Sequence, residues 1–523
     1  MKRLDCKALH YQWGRKGAES TVAQLRKDTI EEDEFYAEHT LYEVIRALIF
    51  GYLAPLLKTP LPNDRLQLHL SATPNLVRFV ESILSIYMPL NDKILREQKI
   101  SKPIWQKRKE NARRLMEEGR VEKEMRRNEK EQSRPDSTLH RTLFFGIACL
   151  TTTILFALHT GIIVLWMGTH ARGPSQVKEG EARIPLADYF KDHPDVLGQH
   201  ERDGVGLQFL LKVLSVGKCL SLQLHPTREQ ARELHAADQT NYPDANHKPE
   251  LTIALTNFEI LCGFQMPDKI LSNLRSHEAL VELIGEKTLS SFGATTDEGE
   301  KKGALKNIFT QIWTIPPEEI GTLLTKLLSD IFLKEQRSQT DELIMGLSEH
   351  FPEDIGILAP LFLNYVKLEP GQATFLGPNE PHSYLSGDCI ECMAQSDNTV
   401  RAGLTPKFKN IPLFCENLTY RMGGPPIFEP QHLADGVDEY SPEVQEFAVH
   451  KLNKEVSVVQ PIAAASILIV VNGSATILPD GGNEEKIEKG DVLLLPQQLG
   501  AKLNEKSDDF LAFRAYTPPP KEK

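Results

Sequence analysis

The sequence predicts a mainly β protein with α. It reads as two small double-sheet barrels of jelly-roll type, a helical domain, and an inserted helical segment with a candidate transmembrane helix. Three observations predict this. Residues 368–378 and 487–496 each run as a polar turn at glycine (Gly371, Gly490), an apolar strand and a proline, as strands of cupin-type barrels often do. Residues 267–350 carry apolar side chains at three- and four-residue spacing, which is helical period. Residues 39–164 differ in texture from everything around them.

Taken in order, residues 1–38 predict a strand, a turn and a helix through Thr21 to Arg26, the opening of the first barrel. They are too few to bury a core alone. In 39–164, residues 41–57 and 75–84 have helical spacing, and 107–134 is almost all charged or amide, a solvated helix or tether. Residues 143–164 are nearly free of charge over roughly 22 positions, enough to cross a ~30 Å hydrocarbon layer. The prediction is a membrane helix, with a buried core helix as its rival. Strand-like runs return across 165–266 as the first barrel continues. Helices follow over 267–350, where Ile270, Leu271 and Leu274, and Leu323, Leu324, Leu327, Leu328, Ile331 and Phe332, form apolar stripes for core packing. The stretch 351–523 is assigned to the rest of the first barrel and to a second one.

Composition narrows the function. The chain has 523 residues and a formal charge of −12. An acidic balance argues against a general nucleic-acid binder, because neutralising phosphates needs excess Lys and Arg. Seven cysteines in so long a chain do not make a disulfide framework and point to a reducing compartment. No apolar run opens the chain as a secretory signal would. Cys389 and Cys392 have redox or zinc-knuckle spacing, but no second pair accompanies them, so a structural thiol pair is the better reading.

The chemistry concentrates between 220 and 250. Gln223 and His225 stand two apart in an alternating run, so a strand presents both on one face. Glu250, after Pro249, can bring a carboxylate to the same space, and His382, after the first glycine-turn repeat, supplies another nitrogen. Two imidazoles, an amide oxygen and a carboxylate form a mixed N/O set that suits zinc with an open position. Taken singly, each residue is more often structural than a ligand; the combination raises the reading. The second glycine-turn repeat continues into Gln497–Gly500 and has no such residue, so only one barrel is expected to hold metal. Arg401 and Lys407 lie in a turn-rich loop. With Lys212 and Lys248 they could grip a phosphate, or they could be plain surface charges.

Four phrases then carry a resemblance: Ser-Leu-Gln-Leu-His-Pro from 221, Tyr-Pro-Asp-Ala-Asn-His-Lys-Pro-Glu from 242, Gly-Asp-Cys-Ile-Glu-Cys-Met-Ala from 387, and Ser-Asp-Asn-Thr-Val-Arg-Ala-Gly-Leu-Thr-Pro-Lys from 396. Together they resemble type I mannose-6-phosphate isomerases, over about 4–38 and 165 to the end. The resemblance implies two cupin barrels with a helical domain and a monomeric enzyme core. It implies one zinc per chain on Gln223, His225, Glu250 and His382, an active-site arginine at Arg401, and pocket positions at Lys212, Ser221, Lys248, Glu391 and Lys407. The implied reaction interconverts mannose 6-phosphate and fructose 6-phosphate by moving a proton between C1 and C2, feeding GDP-mannose synthesis in the cytoplasm. The base is left open between Lys248 and Glu391.

Residues 42–164 resemble something else, the C-terminal part of metaxins, outer-membrane proteins of mitochondrial import. Phe50-Gly-Tyr-Leu-Ala-Pro-Leu-Leu-Lys, Leu61-Pro-Asn-Asp-Arg-Leu-Gln-Leu-His-Leu and Asn75-Leu-Val-Arg-Phe carry it. A terminal anchor follows, as in that family, which is similar to glutathione transferases. A mitochondrial outer-membrane location through this helix is the alternative to the cytoplasm. Because the joints at Glu38 and Leu165 interrupt one continuous motif, the favoured explanation is a chimera of two neighbouring genes. The rival functions are a membrane import component and a catalytically dead sugar-phosphate-binding barrel.

Overall fold

In a computed structural model, residues 1–10, 20–25, 162–180, 182–202 and 206–520 are described. The chain divides into one unit of residues 1–35 and 159–523 and a second of 36–158. Only the first contains described residues, so the helical and metaxin-like expectations for 39–161 fall outside them. Among the described residues no helix is long and apolar enough to cross a membrane.

The first unit is built on antiparallel sheets. At the centre lies the strand His382–Ala394, paired on one side with Phe209–Val216 and on the other with Glu250–Ala254 and Phe258–Phe264. Phe209–Val216 pairs in turn with Ile162–Met167, and that strand with Ala8–His10. Burial on both faces explains their near-continuous apolar sequence. Side chains alternate between two cores: Val164, Trp166, Leu210 and Leu214 turn one way with Phe258, Ile260 and Tyr384. Leu165, Met167, Leu211 and Val213 turn the other way and meet Ile467, Ile469, Leu494 and Phe513 of the C-terminal half.

In that C-terminal half, strands of a nine-stranded sheet face a four-stranded sheet. Leu452, Leu468, Val470, Leu493 and Ala512 from one meet Val459, Ile477, Ile487 and Leu503 from the other.

Two sequence boundaries need correction. The strand after the insert begins at Ile162, not Leu165, so the last residues of the candidate membrane segment 143–164 belong to a strand. The opening residues are also divided between sheets. Lys2–Asp5 pairs with Val492–Leu495 of the C-terminal half, whereas Ala8–His10 pairs with Ile162–Met167. Helix Thr21–Leu25 buries Val22 and Leu25. The segment before the insert is therefore built into the same sheets as the strands that follow it.

Helices run from Pro267–Arg275 to Gln339–His350. Ile270, Leu274, Leu324, Leu327 and Ile331 enter their core, where the rings of Phe309 and Trp313 stack with centroids 3.8 Å apart. Phe332 does not join them: it is 67% exposed. One residue beyond Ile331 is about 100° further round a helix, which turns Phe332 out to solvent.

Candidate metal centre

Three short strand ends bring the predicted ligands together. Gln223 is the middle residue of Leu222–Leu224 and lies directly opposite His382 on one side and Arg401 on the other. Directly opposed residues project from the same face. His225 follows that strand, with its carbonyl held by the Asn379 amide at 2.7 Å. Glu250 opens the strand Glu250–Ala254, opposite Met393. All four side chains are buried.

Their atoms share one centre. His225 Nε2 lies 3.3 Å from Glu250 Oε1, and His382 Nε2 3.5 Å from Glu250 Oε2. The ligand atoms of His225, Glu250 and His382 all fall within 4.8 Å of one another. Gln223 Nε2 is 3.2 Å from His382 Nε2, while Gln223 Oε1 accepts a hydrogen bond from Ser221 Oγ at 2.8 Å. A half-turn of this amide exchanges its oxygen and nitrogen. The oxygen then joins the centre and the Ser221 oxygen accepts from the NH₂.

The outer contacts fix the imidazoles. His225 Nδ1 donates to the Asn398 carbonyl at 2.8 Å and His382 Nδ1 to the Glu380 carbonyl at 3.0 Å. A carbonyl can only accept, so each ring carries a proton on Nδ1 and turns its Nε2 inward toward Glu250. Buried His225 Nε2 has no hydrogen-bond partner. Burial, then the nearby Lys248 charge, lowers the His225 pKa to about 4, so the ring is neutral at pH 7. Burial alone would raise the Glu250 carboxyl, but Lys248 at 3.0 Å and the imidazoles hold it well below its usual range. Two inward-facing imidazole nitrogens, an amide and a carboxylate, with His225 Nε2 left without a hydrogen-bond partner, fit a divalent ion of zinc type.

A second row crosses the sheet beside this centre. Trp166, Lys212, Glu391 and Thr252 are successive register partners on four strands. Lys212 Nζ lies 2.6 Å from Glu391 Oε2, 2.9 Å from Met393 Sδ and 5.1 Å from the Trp166 ring centroid. Tyr384 joins the rows, its hydroxyl 3.2 Å from Glu250 Oε2 and 2.7 Å from Thr252 Oγ1. Arg401 is half-buried beside Tyr242, Arg172 and Asp397, and burial lowers its pKa. Lys407 is exposed as a residue, but partial burial of its ammonium, then the like charges of Arg401 and Arg172, lower its pKa as well.

So the four ligand candidates converge. Lys212 and Glu391 occupy each other, Lys248 occupies Glu250, and Ser221 holds Gln223. The sequence does not single out Tyr384, and it shows Asp397 and Asn398 only inside the phrase from 396, without a role. Tyr384 stands two residues after His382 on one strand, the same spacing that marked Gln223 and His225.

Comparison with known proteins gives the chain a family. The phosphomannose isomerase type I catalytic domain matches residues 160–266, and the helical insertion domain of the same family matches 283–363. A probable mannose-6-phosphate isomerase from Caenorhabditis elegans is 42% identical over 364 residues, 68% of this chain and 86% of that one. This chain belongs to the type I phosphomannose isomerase family. A crystal structure of a phosphomannose isomerase variant from Salmonella typhimurium is similar with a TM-score of 0.61 and 26% identity, covering 69% of this chain and 92% of that one. A zinc-bound mannose 6-phosphate isomerase is similar with a TM-score of 0.60 and 27% identity over the same shares. Residues 35–83 match a different family, the glutathione S-transferase C-terminal domain, in line with the separate origin read for the insert.

Proposed function

We propose that this chain is a zinc-dependent isomerase that interconverts mannose 6-phosphate and fructose 6-phosphate, with Gln223, His225, Glu250 and His382 holding the ion. The observation that carries the reading is the buried convergence of two imidazole Nε2 atoms on Glu250, in a chain 42% identical to a relative named for this reaction. Both barrels are read as cupins. When bound, the ion would stabilise negative charge on the sugar oxygens.

The chain's own groups do the rest. A proton must leave C2 or C1 of the open-chain sugar and return to its neighbour through a cis-enediol, so a base must stand beside the carbon. Glu391, bonded to Lys212, and Lys248, bonded to Glu250, are the two candidates, and substrate arrival must release one from its partner before it can act. Arg401 lies opposite Gln223 in register and is placed to meet developing oxygen charge. Lys407, exposed beside it, is placed to meet a phosphate as a point charge. The product serves GDP-mannose synthesis in this reading.

Purified full-length chain should contain about one zinc per polypeptide and convert the sugar phosphates in a coupled assay, losing turnover with a chelator and regaining it with zinc. A folded, zinc-loaded chain without turnover would leave the non-catalytic sugar-phosphate binder. For the insert, the match at 35–83 supports a metaxin-like origin. Because Ala8–His10 already pairs with Ile162–Met167, a chain lacking 39–158 should keep activity within about twofold. Loss of the fold on deletion would show that the insert is part of the enzyme.

A further inference from the structure

We propose that Asn398 is a positioning residue that sets the metal centre from outside, by tying the His225 imidazole to the turn that delivers Lys248 and Glu250. The inference rests on the zinc reading of this site. Asn398 is fully buried and reaches in two directions. Its backbone carbonyl accepts the His225 Nδ1 proton at 2.8 Å. Its side-chain amide donates to the carbonyls of Asp244 at 2.6 Å and Asn246 at 2.9 Å, with Asp244 Oδ1 at 3.3 Å.

The rest of the turn repeats the connection. The Asp397 amide donates to Asp244 Oδ2 at 2.8 Å, Ser396 Oγ donates to the Asn246 carbonyl at 3.0 Å, and Asn246 Nδ2 donates to the Gln395 carbonyl at 3.1 Å. The turn at 244–246 and the turn at 395–398 therefore move as one body. One leads within four residues to Lys248 and Glu250, the other within three to Arg401. His225 is attached to both through a single carbonyl.

The chemistry at 398 is specific. Only an NH₂ group of this length can serve several carbonyl oxygens at once; an aspartate of the same shape offers oxygen to oxygen. Asn398 Oδ1 has no partner, and an unmet buried acceptor is costly. The residue is thus held for its donors. Groups that orient a ligating imidazole govern metal affinity because they fix its tautomer and aim before the ion arrives.

The test is zinc affinity. Full-length chain, stripped of metal, is titrated with zinc against a chromogenic chelator well below its melting temperature. In N398D and N398A the zinc dissociation constant should rise about tenfold or more, whereas N273A, which breaks a buried network in the helical domain, should leave it unchanged. Zinc affinity in the 398 variants within about twofold of the parent overturns the inference and leaves the zinc reading intact; a parent that takes up no zinc overturns both. Should the variants fail to fold, histidine ¹⁵N spectra of the metal-free parent decide. They should show the Nδ1–H tautomer for His225, and an Nε2–H tautomer overturns the proposal.

Discussion

The two β halves use one building plan for opposite ends. In both, an apolar strand follows a glycine turn: Ala373–Leu376 after Gly371 and Val492–Leu495 after Gly490, each glycine at positive φ. Behind the second, the space between sheets is filled by Leu468, Val470, Ile477, Leu493 and Leu503. Behind the first, aliphatic packing is interrupted by Gln223, His225, Glu250, His382, Lys212 and Glu391, all buried. Burying such groups costs free energy unless each finds a partner. The first half gathers these six groups at one place, whereas the buried Arg514 of the second half stands among aliphatic side chains. The contrast teaches that the polar residues are there for chemistry, and that the second half offsets their cost by providing a continuous apolar face against Leu211, Val213, Leu251 and Ile253.

The sharpest way to break this comparison is to remove chemistry from one half and packing from the other. His382→Ala should abolish zinc retention and lower kcat/KM by on the order of 10³-fold or more, with circular dichroism and melting of the metal-free chain nearly unchanged. Leu468→Ala should do the reverse. Deleting a fully buried leucine costs roughly 2–5 kcal/mol, so the denaturation midpoint should drop while zinc affinity and the KM of the surviving fold stay put. An H382A chain that unfolds, or an L468A chain that loses zinc while folded, would erase the division of labour.

That division was only partly legible beforehand. Gln223 and His225 could be read because their relation is local: two residues apart on a strand is one face. Glu250 and His382 could be named because each sits after a proline turn within a recognisable phrase. The Lys212–Glu391 pair could not be read, since it depends on the register between strands 179 residues apart in sequence. Division of the first ten residues between two sheets was equally hidden, because either strand alone has the same alternation. The C-terminal interior also holds polar groups that no pattern announced. Arg514, fully buried on Leu511–Tyr516, donates to Ser466 Oγ at 2.8 Å and the Gln460 carbonyl at 2.6 Å. Nearby, Glu439 accepts from Tyr516 at 2.5 Å and lies 3.2 Å from His450. Sequence distance conceals such meetings, and only the ladders reveal them.

The smallest predicted effect sharpens the comparison where the halves join. Glu201, on the short helix Gln199–Arg202, is buried, and its Oε2 accepts from the amides of Gly198 at 2.7 Å and Ala465 at 2.8 Å. It thereby ties a loop of the first half to the start of a strand in the second. Burial raises its pKa from 4.5 to about 7, against the pull of those two amides. A carboxyl raised on folding is held in its protonated form by the folded state. Its contribution is full below pH 4.5 and is lost as pH rises through about 7. The chain should therefore lose on the order of 3 kcal/mol of stability across that window from this group. Glu201→Gln keeps the accepting oxygen and carries no ionisable proton, so its melting temperature should fall less between pH 5 and pH 8 than the parent's. Equal slopes in the two proteins would mean that the carboxylate is already charged in the folded state and that the junction tolerates it.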